Sequence, residues 1–322
     1  MKIEDIRELV SDDLAAVDER IRERLHSEVA LVDQVSSYII ASGGKRLRPL
    51  LVLLAAHAVN YRGRQHIDAA ALIEFIHTAT LLHDDVVDSS SMRRGHDTAN
   101  EIWGNETSVL VGDFLYSRAF QMMAQMGALG IMSIMADATN TIAEGEVLQL
   151  LNAHDPETTE QRYLNVIYRK TAKLFEAGAE IAAVLAGARD TDRRALAEYG
   201  RHVGTAFQLI DDLLDYRGSA EERGKNLGDD LAEGKPTLPL IHALKNGNPE
   251  QRAAIRLAIE QGGLAELAHI TEAIEATGGL EYTARLARAE TDAALSALGE
   301  IPESRYSRAL RSLATFASER SY

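Results

Sequence analysis

The sequence contains no cysteine, which excludes disulfides and thiolate metal sites and fits a reducing, cytoplasmic setting. Basic residues are the minority, 34 against 49 acidic ones, and the formal net charge is −15. A surface of that sign lacks the basic face that nucleic acid requires, so no nucleic-acid partner is expected. Proline is scarce, with six in 322 residues, and long stretches are free of helix breakers. Alternating apolar and polar runs bounded by turn residues are missing, which argues against a sheet. No uninterrupted apolar run approaches the ~20 residues of a membrane span. The opening Met1-Lys2-Ile3-Glu4-Asp5 is amphipathic and acidic, unlike a signal or transit peptide. A soluble protein without a transmembrane segment is expected, and transient contact with a membrane surface stays open.

What is present is apolar periodicity of the helical kind, in a chain that is 46% hydrophobic. It predicts helices over about 3–25 and 28–41, then from behind Pro49 to about 61, and over about 67–88. Further helices are predicted over about 107–126, 130–152, 158–187 and 190–217, with a run of amphipathic helices over about 237–320. A polar loop, Ser89 to Gly95, and a glycine-punctuated charged segment, Gly224 to Thr237, interrupt the pattern. There is no linker and no low-complexity segment. Residues 1–322 therefore read as one all-α domain.

Two stretches end apolar runs with the same acidic spacing. They are Asp84-Asp85-Val86-Val87-Asp88 and Asp211-Asp212-Leu213-Leu214-Asp215. On a helix the first and last aspartates of each lie one turn apart on one face. Two carboxylates ~5 Å apart repel by roughly 3 kcal/mol at an effective dielectric of ~20, so cations belong to the arrangement. The donors are all hard oxygens, which puts Mg²⁺ first and Ca²⁺ or Mn²⁺ next. His77 lies about 20° around the helix from Asp84 and about 10 Å back along it, which puts an imidazole on the same face. Gln208 stands almost one turn before Asp211.

The cations are grouped too. Gly43-Gly44-Lys45-Arg46-Leu47-Arg48-Pro49 precedes a helix, Arg93-Arg94 follows the first acidic motif, and Lys170-Thr171 falls within the long middle helix. Lys225 and Lys235 flank the loop after the second motif. Acidic and basic clusters side by side suggest two phosphorylated ligands, one gripped through metal and one directly by Lys and Arg. The segment Gly228–Lys235 is not a P-loop: its spacing is wrong, no strand precedes it, and Asp229, Asp230 and Glu233 would repel phosphate. A metal phosphohydrolase built on His83-Asp84 would need further histidines, and the second motif has none.

As an ordered set spanning essentially the full chain, these motifs resemble the trans-polyprenyl diphosphate synthases. Residues 79–88 and 224–240 resemble the octaprenyl-forming bacterial members, which make a quinone side chain. The resemblance implies an isoprenoid-synthase-type bundle of antiparallel helices around a central apolar cavity, and a homodimer. It implies two or three Mg²⁺ ions per site, held by Asp84, Asp88 and Asp211 with Asp85, Asp212 and Asp215 in support. Arg93, Lys170, Thr171, Gln208, Lys225 and Lys235 would complete the allylic diphosphate site, with Lys170 and the six aspartates as the catalytic set. Lys45, Arg48, His77 and Arg94 would bind isopentenyl diphosphate without metal.

In that family, bulky aromatics at the fourth and fifth positions before the first aspartate stop growth early. Here those positions are Thr80 and Ala79, so growth is expected to pass them. Met123 and Met135, among the methionines further down, are candidates for the floor of the tunnel. A C40 product is expected, with C45 and shorter lengths open. A cyclase or head-to-head synthase of the same fold would not need Lys45, Arg48 and Arg94. A non-catalytic partner subunit usually loses aspartates from one motif, and this chain keeps all six.

Overall fold

The computed structural model describes residues 1–41, 43–217, 228–264 and 266–319, and helices form nearly everywhere the apolar period predicts them. The chain divides into two compact units. The first comprises residues 1–139, 174–200 and 297–313, and the second comprises the described residues of 140–173, 201–296 and from 314 on.

The first unit holds α1 (Ile3–Glu8), α2 (Ser11–Leu25), α3 (Ala30–Ala41), α4 (Leu47–Ala58), α5 (Gln65–Val87), α6 (Ala99–Trp103) and α7 (Asn105–Met126). The start of α8 (Leu129–Asn152) belongs to it as well. Helix α5 packs chiefly on α7 and then on α4 and α2. In α4 the side chains from Leu50 to Ala56 are all buried, and in α5 so are those from Ala69 to Ile73. A helix apolar on every side is a buried one, and each enclosed leucine contributes about 1.5–3 kcal/mol of transfer free energy. Against that background Glu74 and His77 stand out as polar residues in an otherwise apolar run of α5.

Two local features depart from the expected pattern. The single helix expected over about 3–25 is broken at Leu9–Val10 into α1 and α2. The loop after the first acidic motif contains a small antiparallel hairpin, Met92–Arg93 paired with His96–Asp97. Its two-residue turn, Arg94-Gly95, has positive φ at both positions, the geometry that matches strand twist and that glycine tolerates best.

The second unit takes the rest of α8, then α9 (Glu160–Ile167) and a π-helical turn, Tyr168–Ala172. Helix α10 (Lys173–Leu185) belongs to the first unit from Leu174, and α11 (Asp190–Leu214) passes to the second after Gly200. There follow α12 (Asp229–Ala232), α13 (Leu238–Asn246), α14 (Pro249–Gln261), α15 (Leu267–Ala276) and α16 (Gly279–Ala297), while α17 (Arg305–Glu319) belongs to the first unit as far as Leu313. The core of this unit gathers Leu209, Leu213, Leu238, Leu240, Ile255 and Ile270 around the end of α11. Among the described residues no helix is long and apolar enough to cross a membrane.

Candidate functional site

In the first unit the end of α5 and the hairpin behind it bring the predicted charges together. Asp84 and Asp88 are half-buried at the helix end, while Asp85 is buried. Arg93 turns back from the hairpin and donates from Nε to Asp85 Oδ1 at 2.7 Å, with a second guanidinium nitrogen also at 2.7 Å. Charge-assisted contacts of this kind are strong, and the Asp85 carboxylate raises the Arg93 pKa against the opposing effect of burial. Asp85 therefore anchors a cation beside the two outer aspartates.

Two turns deeper on α5, the Arg48 guanidinium donates to His77 Nε2 at 3.1 Å and lies over the Phe175 ring, 4.4 Å from its centre. Arg94, at the hairpin tip, donates to the Gly43 carbonyl. Gly44 permits this: a Cβ there would stand 2.7 Å from an Arg94 guanidinium nitrogen. Arg46 pairs with the buried Glu74. Burial holds the His77 imidazole well below its usual range, and Arg48, Arg94, Arg93 and Arg46 add to the shift. Four guanidiniums grouped around a neutral imidazole make a surface for an anion. Lys45 is exposed on the segment leading to α4, and its carbonyl accepts from Arg7 at 3.0 Å.

The second unit organises the other motif differently. Asp211 is half-buried, but Asp212 and Asp215 are buried. Tyr163 donates to Asp212 Oδ2 at 2.6 Å and Gln208 donates to Asp212 Oδ1 at 2.7 Å, while Thr171 donates to Gln208 Oε1 at 2.9 Å. Burial, and then Asp230 and Asp211, push the Asp212 carboxyl well above the usual range. Asp215 Oδ2 accepts from the Asp230 backbone N–H at 3.1 Å. Lys170 Nζ donates to Glu146 Oε2 at 2.6 Å, and Lys235 pairs with Glu233. Lys170 and Thr171 both lie in the π-helical turn, which re-aims side chains that a regular helix would distribute evenly. Lys225 lies outside the described residues.

Of the residues expected to control length, Ala79, Met123 and Met135 are fully buried, and Thr80 is half-buried with its hydroxyl donating to the His77 carbonyl at 2.8 Å. Sequence reasoning held Arg46 only as a member of the cation group before α4, and missed three partners: Glu74, Glu146 and Tyr163. Glu74 had a visible signal, an acid in an apolar run three residues before His77. Tyr163 and Glu146 had none, because their partners come from distant helices.

A basic cluster around a neutral imidazole and buried, hydrogen-bonded carboxylates define a class. Residues 29–277 match the pattern of the polyprenyl synthetase family, and the chain belongs to that family and is a prenyltransferase. It is 55% identical over 321 residues to octaprenyl diphosphate synthase of Escherichia coli K12, covering 99% of both chains. An all-trans-nonaprenyl-diphosphate synthase (geranyl-diphosphate specific) of Rhodobacter capsulatus is 48% identical over 98% of both. The crystal structure of a polyprenyl synthase from Caulobacter crescentus CB15, complexed with calcium and isoprenyl diphosphate, superposes with a TM-score of 0.96 at 43% identity. That match covers 99% of this chain and 98% of the other, and it carries the same all-helical isoprenoid-synthase fold.

The His77 environment generates a pH dependence. Its folded pKa is depressed, so the unfolded chain binds more protons and stability is lost as pH falls through about 6.5 toward the folded value. Thermal unfolding between pH 7.5 and 5 is expected to show a shallower loss for His77→Gln than for the parent protein. Parallel curves would contradict this.

Proposed function

We propose that this prenyltransferase adds isopentenyl diphosphate to an allylic diphosphate such as farnesyl diphosphate, making a long all-trans polyprenyl diphosphate, C40 first, for a quinone side chain. The observation that carries this is the doubly loaded α5: aspartates at its end, and His77 among guanidiniums two turns deeper. The C40 length follows the Escherichia coli relative rather than the nonaprenyl one, which is less similar.

The proposed metal ligands, Asp84, Asp88 and Asp211, are hard oxygen donors that suit a divalent cation such as Mg²⁺. Two or three such ions, when bound, supply Lewis acidity toward the allylic diphosphate. Asp85 supports by holding Arg93, and Asp212 by its ties to Tyr163 and Gln208. Arg93, Lys170, Lys235 and Lys225 neutralise the leaving diphosphate, Thr171 and Gln208 position it, and Asp215 steadies the second motif. Lys45, Arg48, His77 and Arg94 hold the second diphosphate directly, with forked guanidinium donors matched to phosphate oxygens.

Chemistry then follows from that positioning. The allylic C–O bond breaks with its electron pair leaving on diphosphate. The π electrons of isopentenyl diphosphate form the new C–C bond, and the proton lost in restoring the double bond goes to the released diphosphate. Preorganised charges and dipoles stabilise the cation between those events.

The small side chains of Ala79 and Thr80 let the chain grow past the first motif, and Met123 and Met135 form the floor. The protein works as one synthase domain in the cytoplasm, as a homodimer, with brief membrane contact when product leaves. Val109, Leu110 and Phe120, exposed along α7, support a second copy on that face.

Purified protein with Mg²⁺, farnesyl diphosphate and labelled isopentenyl diphosphate is expected to give C40 product, from a preparation that light scattering sizes as a dimer. No elongation would overturn the proposal; a C45 product would correct only its length. In the same assay, Met123→Ala or Met135→Ala is expected to lengthen the product. Unchanged lengths for both would remove these residues from the floor.

A further inference from the structure

At the opposite end of α5 from the aspartates lies a cluster that prenyl transfer does not use. Asp13 from α2, His57 from the end of α4 and His66 from the first turn of α5 bring their ligand atoms within 4.8 Å of one another. His57 Nε2 lies 2.6 Å from Asp13 Oδ2, and His66 Nε2 lies 3.2 Å from the same oxygen. The side chain of His66 is only 5% exposed, and both its ring nitrogens are buried without an aligned hydrogen bond. A buried imidazole left that way costs free energy that an ion on Nε2 recovers. The rings of His57 and His66 meet edge to face at 5.3 Å, and Tyr306 stacks on His57 at 4.6 Å, so both imidazoles are held in orientation.

We propose that Asp13, His57 and His66 form a binding site for one transition-metal dication of the Zn²⁺ type. Two imidazole nitrogens and one carboxylate oxygen are a borderline donor set, unlike the all-oxygen acidic motifs that suit Mg²⁺. Metal–ligand bonds of about 2.0–2.2 Å in a tetrahedron place ligand atoms about 3.3 Å apart. The His66–Asp13 separation already fits, and the His57–Asp13 contact opens by less than an ångström. His57 and Asp13 are each 23% exposed in their side chains, which leaves an entry path and an open fourth position for water. Some 18 residues, about 27 Å along the helix, separate His66 from Asp84, so the site is distinct from the diphosphate motifs. Its occupant ties α2 to α4 and α5, and its role is structural.

The test is calorimetric titration of EDTA-stripped full-length protein with Zn²⁺, in excess Mg²⁺ to saturate the oxygen-ligand motifs. Thermal unfolding is read alongside. One Zn²⁺ per chain and a higher Tm are expected for the parent protein, with affinity weakened more than about tenfold in His57→Gln and in Asp13→Asn. Because replacing buried His66 can itself unfold the chain, the more exposed His57 is the deciding position. Zn²⁺ uptake that is absent from the parent, or equal in parent and His57→Gln, overturns the proposal.

Discussion

Carboxylates gathered at a helix end repel one another, and the fold tolerates them only where counter-charge is provided. The first motif meets that constraint by tying buried Asp85 to Arg93, which leaves Asp84 and Asp88 half-buried at the helix end. The second meets it with hydrogen bonds instead: Asp212 is held by Tyr163 and Gln208, and Asp215 by a backbone N–H. The buried aspartates, Asp85 in the first motif and Asp212 and Asp215 in the second, serve structure, while Asp84, Asp88 and Asp211 stay closer to the surface. On the proposed function, Asp84, Asp88 and Asp211 are where metal ions complete the neutralisation.

Cations face the mirror-image problem. Burial, and then the guanidiniums of Arg48, Arg94, Arg93 and Arg46, keep the His77 imidazole neutral, and Glu74 and Asp85 are carboxylate partners of Arg46 and Arg93. A diphosphate carries the charge that such a surface attracts, and it needs no metal to do so. One helix therefore divides the work by position, with acids at its exposed end and bases packed against its deeper turns.

Much of this was legible in the sequence because it depends on period and spacing. Apolar periodicity gave the helices, and the one-turn spacing of Asp84 and Asp88 and the seven-residue interval to His77 placed three side chains on one face. What escaped was set by tertiary contact or by very short elements. The Arg94-Gly95 hairpin has strands of two residues, too short for alternation to register, yet it delivers Arg93 to Asp85. The π-helical turn at Lys170-Thr171 has no glycine or proline to announce it. Tyr163 precedes Asp212 by 49 residues, a pairing that only the packed core creates.

On the proposed function, one diphosphate is recognised by side chains alone and the other through metal. Equilibrium binding of isopentenyl diphosphate to the protein in EDTA tests it most directly. Binding that persists without divalent metal and is lost in Arg48→Ala is the predicted result. Binding that appears only when Mg²⁺ is added, or that survives Arg48→Ala undiminished, would contradict it.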